Sequence, residues 1–238
     1  MNLEWTQVLV AGIWGGLLAV ERRAFLQAMI SRPLVAATVM GLLLGDVASG
    51  LYVGMLLELF HLGSANLGAA LPENETLVST GTAAAAAAMA RSAGAGGTPA
   101  IWALAILGLV GLGRLGRLVD RSLEPYSGRL AHKALAEAEQ GDLERAVRQN
   151  LWGMWPVFLV FGALTAACAI AGGAVGPLLG KLPPSLMRGL AGAFPAMASV
   201  AAAIAARNSH ARRAPLFAGV TAACVIAAGV ALELRRTM

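Results

Sequence analysis

From Leu151 to Ala171 the chain runs without one charged residue, and nearly uncharged apolar runs recur at Leu3–Val20, Leu186–Ala206 and Pro215–Leu234. Such segments suit the hydrocarbon core of a bilayer, which a helix crosses with about 20 apolar residues. Composition agrees: 58% of residues are hydrophobic and 13% charged, against about 25% charged in an ordinary soluble domain. Too little polar side chain is present to cover a water-facing surface. The expected fold is an all-α polytopic membrane protein with about seven or eight hydrophobic segments, some of them broken or re-entrant. A chain of 238 residues then has no room for a sizeable soluble domain. The net charge of +5 would suit nucleic acid only if it were concentrated on one face. Here the basic residues fall between apolar runs, so nucleic acid is excluded as a partner and membrane lipid is expected instead.

The first segment begins without a basic leader and carries Glu4, so it is read as retained, not as a cleaved signal. Glu21, Arg22 and Arg23 end it, and a short apolar piece, Ala24–Ile30, follows. Leu34–Leu44 and Leu51–Leu62 are each too short to cross alone and are separated by a turn at Gly45 and Asp46. Two such pieces predict a broken or re-entrant helix pair, which survives at membrane depth only where protein or a wet cavity satisfies its backbone. Ser64–Thr80 is polar and reads as a loop. Ala83–Ala90 is almost pure alanine and is expected to pack closely inside the bundle. Pro99 suits the first turn of a further span ending near Gly113.

Composition changes at Arg114. Up to Asn150 the chain carries Arg114, Arg117, Arg121, Arg129, Lys133, Arg145 and Arg148 against Asp120, Glu124, Glu137, Glu139, Asp142 and Glu144. Helical spacing of Leu130, Ala134, Leu135 and Ala138, and of Leu143 with Val147, predicts two short amphipathic helices. The chain thus divides into an N-terminal membrane half (1–113), a cytoplasmic amphipathic connector (114–150) and a C-terminal membrane half (151–238). Trp152 and Trp155 open the second half at the expected level of the headgroups. Gly172–Pro184, rich in glycine and proline, reads as another re-entrant piece. Arg207, Arg212 and Arg213 oppose Arg235 and Arg236 in a positive-inside count, so the connector is the cytoplasmic marker. Cys168 and Cys224 sit singly in apolar runs and read as packing residues.

An ionisable residue inside an apolar helix costs about 2.5–3.5 kcal/mol on insertion scales and is by default a functional candidate. Glu58 is the clearest case, as a carboxylate facing a polar cavity. His61 lies three residues on, sharing its helix face as a hydrogen-bonding neighbour. Gln27 and Asn66 can each donate and accept hydrogen bonds, as a polyhydroxylated ligand requires. Asp46, in a turn, is expected to bond its own backbone, and Arg32 to anchor a helix C-terminus or a lipid phosphate. No phosphate loop, metal-ligand spacing or phosphoryl-accepting constellation is present. Catalytic residues, metals and cofactors are therefore not expected.

Ser31, Arg32, Pro33, Leu34 and Val35, then Gly41, Leu42, Leu44, Gly45 and Asp46, then Gly50, Gly54, Leu57, Glu58 and Leu59, then Gly63, Asn66, Gly68, Ala69, Ala70 and Pro72 carry a resemblance. In their order and spacing, the region 31–80 resembles the membrane-spanning IIC subunit of the mannose/sorbose family of bacterial sugar phosphotransferase systems. The resemblance implies a multi-pass permease component of the bacterial inner membrane. It implies a IID membrane partner in a higher oligomer, and soluble IIA and IIB phosphocarriers that pass phosphate from phosphoenolpyruvate to the sugar. It also implies Glu58 and Asn66 at the sugar, with Glu21 and Gln27 standing at the family's acidic and Gln positions before the Arg-Pro pair.

The expected function is binding and translocation of a hexose or related sugar, coupled to its phosphorylation by partner subunits. Two other readings fit the same residues: an ion-coupled secondary transporter using Glu58 and His61, or a degenerate, non-transporting regulatory subunit.

Overall fold

The computed structural model describes residues 5–62 and 72–208, with isolated positions between 213 and 223. Nine helices and no strand occur among the described residues: α1 Trp5–Arg23, α2 Pro33–Leu43, α3 Val47–His61, α4 Glu75–Ser92, α5 Pro99–Leu109, α6 Leu112–Glu139, α7 Leu143–Trp152, α8 Met154–Leu179 and α9 Pro184–Asn208. Among the described residues two stretches, Leu143–Leu179 and Pro184–Ala206, are long and apolar enough to cross a membrane. They become three if α5 and α6, bent by 40° where they join, form one span.

The hub is α4. Fourteen of its eighteen residues are buried, and α1, α2, α3, α5 and α8 surround it. Its alanines let α8 come so near that a Cβ on Gly172 would strike the Ala85 backbone, and one on Gly176 would strike the Met89 carbonyl and Ser92. Nearer the start of α8, on the same stripe, Gly12, Gly15 and Gly16 of α1 meet Gly162, Thr165 and Phe158 in the same manner. Between such helices close van der Waals packing supplies the attraction, because lipid is as apolar as leucine.

Residues Glu75–Thr80, expected as loop, are the first turns of α4. Their polarity is misleading. Thr80 Oγ1 donates to the Thr76 carbonyl at 2.7 Å and Ser79 Oγ to the same oxygen at 3.0 Å, so these hydroxyls are satisfied by their own helix and stay buried.

The expected break between Leu44 and Leu51 is present. Gly45 takes φ +77°, and α2 and α3 fold back on each other as a hairpin. A Cβ on Gly50 would strike the Ala37 carbonyl, and one on Gly54 the Pro33 carbonyl, so Gly50 and Gly54 are required by backbone proximity. Asp46 caps α3 as anticipated, accepting from Ser49 N at 3.0 Å. Arg91, at the end of α4, donates to the Leu44 carbonyl at 2.5 Å, and the Gln7 amide oxygen accepts from the same guanidinium.

The segment after α1 is irregular backbone up to Pro33. Two other expectations change, both beyond that short apolar piece. The connector's first part is one helix, α6, of 28 residues, about 42 Å at 1.5 Å per residue; it runs through Pro125, and α7 folds back on it. Finally, α8 continues through Gly172, Gly173 and Gly176 to Leu179 without re-entering. Gly172 and Gly176 face α4, where closeness to a neighbour stabilises the helix that their propensity alone would weaken. The run Pro215–Leu234 and Cys224 lie outside the described residues, whereas Cys168 is buried and unpaired as expected. Trp5, Leu9, Ile13 and Leu17 form an exposed apolar stripe along α1, a surface that calls for lipid or another apolar partner.

Candidate functional site

Charged side chains gather at one end of the bundle around the irregular segment 24–32 and the first turn of α2. Leu26, Gln27 and Met29 have φ of 65°, 46° and 61°, in the left-handed region that costs a non-glycine residue roughly 1–2 kcal/mol each. Surrounding bonds must impose such a path. Glu21 supplies two of them: its Oε1 accepts from Ile30 N at 3.3 Å and its Oε2 from Ser31 N at 3.1 Å. Gln27 N donates to the Phe25 carbonyl at 2.8 Å, and Thr76 Oγ1 of α4 donates to the Ser31 carbonyl at 3.2 Å. Glu21 is 7% exposed, so its carboxylate is a buried clamp on the loop that carries Gln27.

Glu58 holds the other side of the segment. Its Oε1 accepts from Arg32 Nε at 3.0 Å and Nη2 at 2.5 Å, and its Oε2 accepts from Leu34 N at 3.2 Å. Pro33 opens α2 without an N–H, and Arg32 at the cap position has no acceptor to offer, so a carboxylate from α3 caps α2 instead. Arg32, expected to anchor a helix C-terminus or a lipid phosphate, instead anchors to carboxylates: besides Glu58, Glu75 Oε1 lies 3.6 Å from its Nη1. A carboxylate has about four acceptor sites. Three are occupied, which leaves one on Oε2 for an incoming hydroxyl.

The structure thus sets Glu21 and Glu58 against the segment that follows α1 and the first turn of α2, with Gln27 exposed on that segment and bonded only through its backbone. His61 stands one turn beyond Glu58 at the end of α3, its Nδ1 2.8 Å from the Leu57 carbonyl. Asn66 lies outside the described residues.

A second ionic cluster escaped the reading of the sequence. Asp120 of α6 is 1% exposed. Arg22 Nη1 donates to its Oδ2 at 2.9 Å, Arg23 Nη1 lies 3.2 Å from its Oδ1, and Asn74 Nδ2 donates to Oδ2 at 3.0 Å. Asn74 is also the N-cap of α4, accepting from Leu77 N at 2.9 Å. A spacing signal existed: Gly113, Gly116 and Asp120 share one face of α6, and they are its buried residues. An Asn preceding a long small-residue run likewise marks an N-cap.

The two clusters adjoin through α1, where Glu21 precedes Arg22 and Arg23, and through α4, where Asn74 precedes Glu75. Donors and acceptors in fixed positions around a strained, partly exposed loop suit recognition of a neutral polyhydroxylated molecule. Among the described residues no group of three His, Cys, Asp or Glu is placed to hold a metal ion.

Residues 5–228 match the family model described as "PTS system sorbose-specific iic component". Over 80 residues the chain is 35% identical to the sorbose-specific EIIC component of Lacticaseibacillus casei, covering 34% of this chain and 28% of that protein. Over 48 residues it is 50% identical to the sorbose-specific EIIC component of Klebsiella pneumoniae, covering 20% and 18%. The matched stretches therefore span less than a third of these relatives' own length. The fold is similar to a chain of the mannose transporter ManYZ, solved in complex with microcin E492, with a TM-score of 0.61 and 19% identity over 100% of this chain and 95% of that one.

Proposed function

Because the chain belongs to the family of PTS sorbose-specific IIC components, we propose that it is the membrane subunit that binds a hexose or related sugar and passes it inward for phosphorylation by partner subunits. The observation that carries this reading is the convergence of Glu21, Arg32 and Glu58 on the irregular segment that carries Gln27, at the end of the α2–α3 hairpin. A sugar loses water from several hydroxyls on entering a site, and each must regain a partner. Glu58 Oε2 offers an acceptor, Gln27 both donor and acceptor, and Arg32 donors already oriented by two carboxylates. Asn66, following α3 in sequence, completes the proposed set, with His61 as a neighbour.

The chain bears no phosphoryl acceptor in this reading, so IIA and IIB carry the phosphate and a IID subunit completes the translocator within a higher oligomer. The mannose transporter with the similar fold is a two-component assembly by its name, ManYZ. That likeness supports the IID partnership. The long apolar helices support a multi-pass place in a membrane; the bacterial inner membrane and about seven or eight hydrophobic segments belong to this reading. The charged α6–α7 hairpin, between membrane halves 1–113 and 151–238, is placed on the cytoplasmic side.

Vesicles holding the chain with its IID partner test the proposal. Supplied with phosphoenolpyruvate and the soluble components, they are expected to form sugar phosphate, and Glu58→Gln to lower that rate at least tenfold, about 1.4 kcal/mol, with assembly intact. Accumulation of unmodified sugar that a protonophore abolishes would overturn it. No observation favours that ion-coupled route, since both Glu58 oxygens already accept from Arg32 and Leu34. Sugar-independent regulation is likewise without support.

A further inference from the structure

A cavity of about 610 Å³ lies where the α6–α7 hairpin meets the ends of α1 and α8. Val20, Leu130, Ala134, Met154 and Val157 give it a largely hydrocarbon wall, and no carboxylate lines it. Neither Arg32 nor Glu58 reaches it, so it is separate from the proposed sugar site.

Arg23 is its unusual member. A guanidinium carries five N–H donors, and the Arg23 side chain is only 25% exposed. Yet among the described residues it makes no hydrogen bond: Asp120 Oδ1, 3.2 Å from Nη1, lies outside hydrogen-bond geometry. Asp120 also serves Arg22, so two cations face one carboxylate. Gln149 and Asn150 add amide groups on the same rim. The result is a largely apolar cavity with a donor-rich, positively charged corner, lined besides Arg23 by the neutral polar side chains of Ser127, Gln149 and Asn150 and by no anionic one. Trp152 and Trp155, both exposed, mark the adjoining end of α8 as the headgroup level that amphipathic indoles favour.

We propose that this cavity binds an anionic phospholipid, its phosphate accepting from Arg23 and an acyl chain lying along Val20, Leu130, Ala134 and Val157. Charge complementarity selects the anion, and the hydrocarbon wall selects a lipid over a free phosphate or a sugar, whose hydroxyls would find few partners there. Basic pockets between membrane helices at the cytoplasmic face are suited to such headgroups.

The test uses the full chain with its membrane partner in nanodiscs of phosphatidylcholine doped with phosphatidylglycerol, the retained lipids being counted by native mass spectrometry. The wild type is expected to retain phosphatidylglycerol in preference to phosphatidylcholine. Arg23→Gln should reduce that preference about fivefold, the change that corresponds to about 1 kcal/mol for one basic residue. Because Arg23 also pairs with Asp120, a second variant is needed. Ala134→Trp fills the cavity without removing a charge and should abolish the retained lipid, whatever its headgroup. Equal retention of both lipids by the wild type, unchanged retention by Ala134→Trp, or displacement of all lipid by a segment of the partner would overturn the proposal.

Discussion

Ionic contacts in this protein differ in worth according to how far each is removed from water. Asp120 is nearly inaccessible, and two arginines and Asn74 converge on it, so deleting it strands charge where solvent cannot compensate. Asp120→Ala is expected to destabilise the purified protein by about 3 kcal/mol, the lower end of the range for breaking a buried pair, because Arg22 and Arg23 keep 19% and 25% exposure. Unfolding in mixed detergent would measure it. The pair between Arg114 and Glu73, 78% and 42% exposed, lies at the other extreme, and Arg114→Ala should change stability by less than about 1 kcal/mol. Glu21 has a different duty, because its oxygens hold backbone amides. Glu21→Ala should raise hydrogen exchange at Ile30 and Ser31 while leaving exchange in α4 unchanged; protection retained at both amides would show that the left-handed loop is held by other means.

Among the helices, closeness is set by glycine. A methyl group at position 50 must push the Ala37 carbonyl and Gly41 away, so Gly50→Ala is expected to cost about 1–3 kcal/mol, as overpacking does. Gly96→Ala, with nothing within 4 Å of the added carbon, should be neutral in the same unfolding assay. This contrast explains which elements the sequence disclosed. Long apolar runs showed α8 and α9, and the Gly45–Asp46 turn showed the hairpin, because hydropathy and turn chemistry act locally. The start of α4 was hidden, since Thr76, Ser79 and Thr80 look polar until their hydroxyls find carbonyls of their own helix. The uninterrupted path of α8 was hidden because its glycines read as breaks, and only the facing alanines of α4 reveal them as contact points.

For the molecule as a whole, the proposed division into two membrane halves and a charged connector makes a topological prediction. Leu143 is 68% exposed at the start of α7. In a chain with Cys168 and Cys224 replaced by alanine, Leu143→Cys should react with a membrane-impermeant maleimide in inside-out vesicles and stay unmodified in intact cells. The opposite pattern would reverse the proposed orientation. At this scale the sequence disclosed the ionisable residues of the proposed site better than the contacts that hold them. Glu58 was conspicuous because a lone carboxylate in an apolar run is expensive. Its partner Arg32 lies 26 positions away, and Asp120 lies 98 positions from Arg22, separations no local pattern encodes. The same folding logic governs the turn of the α2–α3 hairpin. Arg91 meets the negative end of α2 and Asp46 the positive end of α3, so both helix dipoles are balanced from within. A turn that supplies its own counterions needs no hydration shell, and helix length, more than access to water, sets how deep its tip can sit in the membrane.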